Sequence, residues 1–434
     1  MGQFRFSTAG ESHGKGLVAI VEGMVADLPL KAEYINKELK RRQQGYGRGP
    51  RMKIEDDKVE IISGVRYGLT IGSPIALYIP NRDWQNWREI MSVTPLEKEA
   101  EPVTCPRPGH ADLAGVTKYG LKDIRPIMER ASARETATRV AAGAIAKRFL
   151  EEFGIAIHSH TVAIGHVGYE SFALCHSERS AGACPPPEKQ SRDTHDKPRE
   201  TTSINWQQVE TSPVRCADAE LEKKMMAAID EAKANGDTLG GIFEVIASGM
   251  PLGLGSHISW ERRLDGRIAQ SIMSINAVKG VEIGSGFALA GLKGSQAHDV
   301  IEPNPPVIAG DFPSSSLRGA SATKQPPLPW RRPTNHAGGI EGGITNGEDI
   351  IVRAAVKPIA TLANPLPSID LRSGEPAKAH YERSDICVVP AAGVIAEAML
   401  AVVLADACLE KFGGDNLKET LANYQNYLSN ISRL

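Results

Sequence analysis

The sequence predicts one large, mixed α/β domain built from β-sheets and helices. Strand-like and helix-like segments alternate along the chain, and its 434 residues are enough for one large α/β enzyme or for two or three smaller domains. The composition, 41% hydrophobic and 24% charged, is typical of a soluble globular protein. A net charge of −2 provides no overall attraction for nucleic acid or a membrane surface, so we expect neither as a partner.

Residue periodicity places the main elements. Strand patterns occur at 16–25, 59–65, 73–79, 155–164, 241–249 and 350–356. Helical spacing occurs at 30–42, 217–235, 263–274 and 394–411, and a central helix ends at Gly154. The most apolar stretch, 388–407, contains Pro390, Glu397 and Asp406, so we interpret it as a core helix rather than a membrane span. A polar tail is expected after this last helix.

Two stretches, 169–210 and 302–332, are rich in Pro and Ser and predict irregular insertions within the domain. Residues 18–29 and 243–253 resemble each other: each has a strand pattern, a glycine, apolar residues and a proline beside a leucine. Two halves related by an internal pseudo-twofold would produce this similarity, and so would chance.

Cysteine and histidine usage argues against a metal centre. The cysteines are scattered and form no C-x-x-C pair, which fits a reducing cytosol and a cytoplasmic protein. The N-terminus lacks the charged and apolar regions of a signal peptide, so none is expected. His158 and His160 alternate on a predicted strand without a nearby carboxylate or cysteine, so we interpret them as surface residues and predict no metal.

The stretch from Arg107 to Gly154 is the first candidate site. Arg107 to His110 form a turn that presents a histidine, and Arg130 and Arg134, four residues apart, are expected to share a helix face. A helix with ordinary Glu–Arg pairs is the alternative. The nearby histidine turn favours an anion site.

A second candidate is the glycine-rich loop 41–53, which carries no acidic residue. Its arginines Arg42, Arg48 and Arg51 can pair bidentately with phosphate or carboxylate. Only Tyr46 offers a stacking ring, so a small polyanion fits better than nucleic acid.

The segment Gly10-Glu11-Ser12-His13-Gly14 matches the G-x-S-x-G pattern of serine hydrolases. A hydrolase that uses Ser12 is therefore one alternative, although the pattern needs a strand before it and a helix after it. The segment 17–25 looks like a strand instead. A plain glycine-bounded turn is the simpler interpretation.

The 107–154 stretch, the Gly10–Gly14 motif and several later blocks resemble chorismate synthases, from the first residues to Gly414 with two interruptions. The resemblance implies a sandwich of β-sheets and helices and a homotetramer. It also implies a lyase that converts 5-enolpyruvylshikimate 3-phosphate to chorismate and phosphate with reduced FMN. NADPH is a candidate reductant, used directly or through a separate flavin reductase. A non-catalytic phosphometabolite-binding protein is a further alternative.

The resemblance also assigns residues. His13 would act at the phosphate end of the substrate together with Ser12, His110 would act near the flavin, and Asp385 would take up the ring hydrogen as a proton. Alternatively, Asp385 is a helix N-cap or the ion-pair partner of Arg383. The implied flavin contacts are Arg130, Ala131, Ser132, Asn276, Ala277, Gly342, Lys357, Pro358, Ile359, Ala360, Thr361 and Arg383. The implied substrate (or NADPH) contacts are Arg42, Arg48, Arg51 and Arg134. Family members commonly have serine at the position of Ala360.

Overall fold

The computed structural model describes residues 4–49, 55–98, 100–169, 204–304 and 328–431. The strands in these ranges are β1 (Arg5–Ala9), β2 (Gly16–Glu22), β3 (Glu60–Ile61), β4 (Val65–Arg66), β5 (Leu69–Thr70), β6 (Ile75–Pro80), β7 (Ala156–Ile164), β8 (Val167–Gly168), β9 (Gly241–Ser248), β10 (Val278–Ile283), β11 (Glu302–Pro303), β12 (Trp330–Arg331), β13 (Ile340–Glu341), β14 (Ile344–Thr345), β15 (Ile350–Val356), β16 (Pro367–Ile369) and β17 (Pro376–Lys378). The helices are α1 (Ala32–Gln43), α2 (Trp84–Trp87), α3 (Asp112–Tyr119), α4 (Arg125–Ala131), α5 (Thr136–Glu151), α6 (Trp206–Thr211), α7 (Ala219–Ala234), α8 (Leu264–Met273), α9 (Gly294–Ala297), α10 (Val389–Phe412) and α11 (Leu417–Ile431).

Two antiparallel sheets enclose a pair of long helices. The strand order is β1-β2-β6-β3 in the first sheet and β10-β15-β9-β7-β8 in the second. Helix α5 packs against the first sheet, α10 packs against the second, and the two helices pack against each other. They approach closely at Gly143, where a Cβ atom would lie 2.4 Å from the Cβ of Ala398. The predicted sandwich of sheets and helices is confirmed.

The two halves share one topology. The main elements of the first half are β1-β2-α1-β3-β6-α5, and those of the second are β7-β9-α8-β10-β15-α10. In each half the fourth of these strands, β6 or β15, lies between the second and the third in the sheet and precedes the long core helix. The similar segments 18–29 and 243–253 begin in β2 and β9, which occupy equivalent places. Gly23 and Gly249, which follow these strands, both have positive φ. The sequence similarity therefore falls on corresponding parts of a repeated topology.

Burial follows the strand and helix periods. Leu17, Ala19 and Val21 of β2 are buried and alternate with more exposed residues, as a strand with one face on the core requires. Helix α10 is buried almost throughout. It is the one helix of the described residues with the length and apolar composition to cross a membrane, and 89% of its most apolar window is buried inside the fold. It is thus a core helix, as predicted.

The central helix is interrupted, contrary to the prediction. Ser132 is extended (φ −61°, ψ 141°), and its side chain accepts a hydrogen bond from the backbone of Arg134, which caps a separate 3₁₀ turn, Ala133–Glu135. This local bond competes with continuation of the helix. Arg130 and Arg134 therefore do not share a helix face: Arg130 is exposed and Arg134 is buried.

Three further predictions are corrected. The expected polar tail forms α11, which buries Tyr424, Leu428 and Ile431 at helical spacing. His160 is a buried residue, not a surface one, and its Nε2 lies 3.1 Å from the Glu244 carboxylate. His158 is half-buried and stacks on Trp206.

Both predicted irregular stretches lie mostly outside the described residues, because 170–203 and 305–327 are not described. Their described ends are regular. Helix α6 begins inside 169–210 and buries Trp206 and Val209, and β11 pairs with β12 at the two ends of 302–332. The predicted irregular stretches therefore extend too far at these ends.

Candidate active site

The candidate site is formed largely by two pairs of equivalent connections. The α1–β3 loop carries Arg48 and its counterpart, the α8–β10 loop, carries Asn276 and Ala277. The connection before α5 carries His110 to Arg134, and the one before α10 carries Lys357 to Asp385. The β1–β2 loop, with His13, completes the group. Helices α5 and α10 pack in the same direction, with Phe153 after α5 stacked on Phe412 at the end of α10, so the connections that precede them meet.

The β1–β2 loop holds Ser12 and His13. Gly10 has φ 110°, and a Cβ there would lie 2.5 Å from the carbonyl oxygen of Gly16, so this turn requires glycine. The amide of Asn81 donates to the carbonyls of Glu11 and Gly14, at 3.2 and 2.7 Å. The Ser132 hydroxyl donates to Ser12 Oγ at 3.0 Å. Strand β2, not a helix, follows Ser12, so the structural context of a serine-hydrolase elbow is not met.

His13 is held by two side chains. Its Nδ1 lies 2.7 Å from one carboxylate oxygen of Glu129, and its backbone N–H donates to the other at 2.6 Å. The ring of Trp87 stacks on the imidazole with centroids 3.8 Å apart. The imidazole is only partly exposed, so its contacts define its orientation.

His110 lies in a second polar cluster. Its Nδ1 contacts the fully buried carboxylate of Asp112, which also accepts from the Nε of Arg107 at 2.8 Å. Burial alone would raise the pKa of Asp112, but hydrogen bonds from His110 and Arg107 hold this pKa well below its ordinary value. Arg107 also donates to Thr361 Oγ1 at 3.1 Å. The cluster therefore ties the His110 turn to the 357–361 segment.

Three of the predicted arginines form a cationic group. Arg42 donates to Thr136 Oγ1 at 2.9 Å and lies 3.6 Å from Asp57. Arg134 contacts Asp57 and donates twice to Asn81 Oδ1, at 3.0 and 2.9 Å. Burial and the nearby charges of Arg48 and Arg134 together lower the pKa of Arg42 to about 10, against the opposing effect of Asp57. A bound anion would relieve the repulsion between these arginines, part of whose charge is already balanced by Asp57, Glu55 and Asp385 within 3.6 Å.

Asp385 connects this group to the segment before α10. Its carboxylate accepts from the backbone N–H of Gly49 at 2.6 Å and lies 3.4 Å from Arg48. Helix α10 has Val388 as its N-cap, so Asp385 does not cap it. The ion pair is formed with Arg48 rather than with Arg383, which is exposed.

Several of the predicted flavin contacts are joined to one another by hydrogen bonds. Asn276 donates to the carbonyl of Ala131 at 3.0 Å, and the Lys357 backbone N–H donates to the carbonyl of Ala277 at 2.9 Å. The Lys357 ammonium donates to the carbonyl of Gly109 at 2.7 Å, next to His110. Burial and then the charge of Lys279 lower the pKa of Lys357. These loops thus meet between the two histidines.

Two predicted contacts are less well placed, and a third lies outside the described residues. Gly342 lies in the β13–β14 turn, where its neighbour Gly343 accepts from Leu264, and no described contact links it to the flavin loops. Arg383 is exposed, although its neighbour Glu382 lies 3.7 Å from Arg107. Arg51 is outside the described ranges.

Comparison with known proteins places the chain in a family. The chain matches the family described as chorismate synthase over residues 4–409. The chorismate synthase of Moorella thermoacetica is 52% identical, with 98% of this chain and 100% of the relative covered. That of Solibacter usitatus is 50% identical, with 98% and 99% covered. A crystal structure of chorismate synthase superposes with a TM-score of 0.73 at 41% identity, covering 99% of both chains.

The chain belongs to the chorismate synthase family.

Chorismate synthases are lyases of the shikimate pathway that act on a small-molecule substrate and need reduced flavin, so the predicted enzyme class and pathway are confirmed. Within the described residues, no group of three or more His, Cys, Asp or Glu side chains is arranged to hold a metal ion.

Sequence reasoning missed the residues that support the histidines and arginines. Asp112, two positions after His110, could have been found from its spacing. Glu129 reaches His13 across 116 positions, and Asn81 and Asp57 reach Arg134 across 53 and 77, so no pattern in the sequence points to these contacts.

Proposed function

We propose that this protein converts 5-enolpyruvylshikimate 3-phosphate to chorismate and phosphate by 1,4-elimination, with reduced FMN as the cofactor. The observation that carries the proposal is the convergence of His13, His110, a cationic group and the predicted flavin loops in one site, in a chain of this family. Neither alternative explains this arrangement. A hydrolase needs no flavin loops, and a passive binding protein needs neither histidine.

The cationic group would bind the substrate's anionic groups. Arg42 Nη1 is buried and makes no hydrogen bond to a described residue, so it has donor capacity for a phosphate or carboxylate oxygen. Arg48 borders the same space. Arg134 is already engaged by Asp57 and Asn81, so we assign it to holding the β1–β2 loop and adding positive charge. Arg51 is retained as a proposed contact on the family resemblance alone.

The site fits a bound flavin. Asn276 Oδ1 is buried without a hydrogen-bond partner among the described residues, which leaves it available to a ligand N–H. The proposed cofactor contacts remain those predicted above; Ala360 provides no side-chain hydroxyl, and Gly342 and Arg383 are the weakest assignments. When bound, reduced FMN supplies the electron chemistry that makes phosphate a leaving group in a reaction without net redox change.

The protein's own groups would move protons. His13 would protonate or hydrogen-bond the departing phosphate, because an imidazole changes charge near neutral pH. Ser12 lies beside it and would hydrogen-bond the substrate. His110 would deliver a proton to the cofactor side of the site, and Asp385 would take up the ring hydrogen as a proton. Asp385→Asn should then keep fold and ligand binding but slow turnover strongly, and normal turnover would show that the base lies elsewhere.

We further propose a single-domain, cytoplasmic homotetramer. One hydrophobic core extends across both sheets, which supports a single domain. The protein either reduces its own flavin with NADPH, the candidate reductant, or relies on a separate flavin reductase. NADPH oxidation by the purified protein with FMN separates these two cases.

The decisive experiment measures phosphate release. The protein is mixed anaerobically with substrate and photoreduced FMN, and in parallel with oxidised FMN. The proposal expects phosphate and chorismate with reduced FMN alone. Flavin-independent phosphate release would indicate a hydrolase, and binding without release would indicate a passive binding protein.

A further inference from the structure

Glu129 is the residue that fixes His13, although it contributes no group to the predicted site. It lies on α4 and is almost completely buried. Its two carboxylate oxygens bind the His13 backbone N–H and the ring Nδ1, at 2.6 and 2.7 Å, and its backbone carbonyl accepts from the Ser12 N–H at 3.2 Å. One residue therefore determines both the position of the loop and the rotation of the imidazole.

This geometry has a consequence for the tautomer of His13. An ionised carboxylate can only accept hydrogen bonds, so the ring nitrogen that faces it must carry a proton. That nitrogen is Nδ1. A neutral imidazole carries one N–H, so Nε2 then holds the lone pair and is the atom at which protons enter and leave the ring. Trp87, stacked at 3.8 Å and 22°, prevents the ring from turning to exchange its two nitrogens.

We propose that Glu129 is a positioning residue: its carboxylate holds the Nδ1–H of His13, so that the protonated imidazole gives its Nε2 proton to the leaving phosphate and is left as the neutral Nδ1–H tautomer. The proposal rests on the role of His13 given above. His110 has a related contact, since its Nδ1 lies against the buried carboxylate of Asp112, although Arg107 Nη2 lies 3.0 Å from the same nitrogen. In both cases a buried acceptor binds Nδ1.

Glu129→Gln makes the proposal testable, because an amide cannot replace both carboxylate oxygens. The His13 backbone N–H needs an acceptor, so the amide oxygen should take that place. The amide NH₂ then faces Nδ1 and donates to it, which favours the neutral Nε2–H tautomer over the imidazolium, and a neutral imidazole is a much weaker acid towards the phosphate. We expect turnover to fall by roughly 10²-fold or more, as for a lost acid–base group, with little change in substrate affinity. Glu129→Asp keeps a carboxylate and should retain the Nδ1–H tautomer and part of the activity.

The tautomer is read directly by solid-state ¹⁵N NMR of histidine-labelled protein, with His13 assigned by the signal lost in His13→Gln. The exposed residue Glu220 provides the control, because Glu220→Gln should change neither spectrum nor rate. An Nε2–H tautomer in the unmodified protein would overturn the proposal, and so would an unchanged His13 signal or unchanged turnover in Glu129→Gln.

A double variant separates this proposal from the role of His13 itself. If Glu129 acts through His13, adding Glu129→Gln to His13→Ala should cause little further loss of turnover. A full additional loss would show that Glu129 acts by another route and would overturn the positioning role. A His13→Ala variant with normal turnover would instead remove His13 from the mechanism, whatever tautomer the NMR spectrum shows.

Discussion

Replacing Glu397 by glutamine is expected to destabilise the fold far more than removing a surface ion pair. Glu397 is completely buried on α10 and accepts from Arg41 at 2.7 and 2.9 Å, from Lys147 at 2.8 Å and from Ser159 at 2.7 Å. It is the centre of an interior ion cluster, which we define as Glu38, Arg41, Lys147, Glu210, Arg215 and Glu397.

The size of the effect follows from the balance of charge. The cluster contains three carboxylates and three cations, so it is neutral as a whole. Burial opposes ionisation of Glu397, but Arg41 and Lys147 overcome it and hold the pKa of this carboxyl well below its ordinary value. Glutamine leaves one buried positive charge uncompensated. Breaking a buried ion pair in this way costs roughly 3–5 kcal/mol of the free energy of unfolding.

Equilibrium unfolding in urea, followed by both far-UV circular dichroism and tryptophan fluorescence, measures the difference. The matched control is Glu22→Gln, because Glu22 pairs with Arg5 at 2.6 Å on the surface and such pairs contribute less than about 1 kcal/mol. Equal, small losses in the two variants would refute the reasoning, since burial would then not distinguish the two carboxylates.

Three further predictions concern the site and the response to acid. His13→Ala and His110→Ala should each lower turnover by roughly 10²–10⁴-fold while FMN still binds, and near-normal rates in either variant would remove that histidine from the mechanism. Arg48→Ala should raise the dissociation constant of the substrate much more than that of FMN, measured by titration calorimetry, and tight, salt-sensitive DNA binding by the unmodified protein would contradict the anion-site interpretation. Burial alone would raise the pKa of Glu210, but hydrogen bonds from Arg41 and Arg215 lower it from 4.5 to about 2. Because this pKa is lower in the folded state, its stabilising contribution is complete above pH 4.5 and is lost as the pH falls to about 2. The urea midpoint should therefore fall across this window, and a midpoint that stays constant there would refute the assignment.

The site residues could be predicted from residue type and local sequence motifs, but their geometry depends on distant parts of the chain. The histidine turns and the arginine-rich loop were recognisable because glycine, arginine and histidine occur together within a few positions. The residues that hold them in place were not recognisable from the sequence. Glu129 reaches His13 across 116 positions, and Arg107 reaches Thr361 across 254. Such contacts follow from how the two sheets and helices pack.

By itself, the sequence determined the element types, because strand and helix periods follow from which face is buried. It predicted the buried helix α10, the strands β2, β7, β9 and β15, and the residue types of the site. Only the tertiary structure decided the break at Ser132, whose hydroxyl binds Ser12 from 120 positions away as well as capping the local turn. It also decided that the connections before α5 and α10 meet, because this requires two sheets, distant in sequence, to enclose one pair of helices.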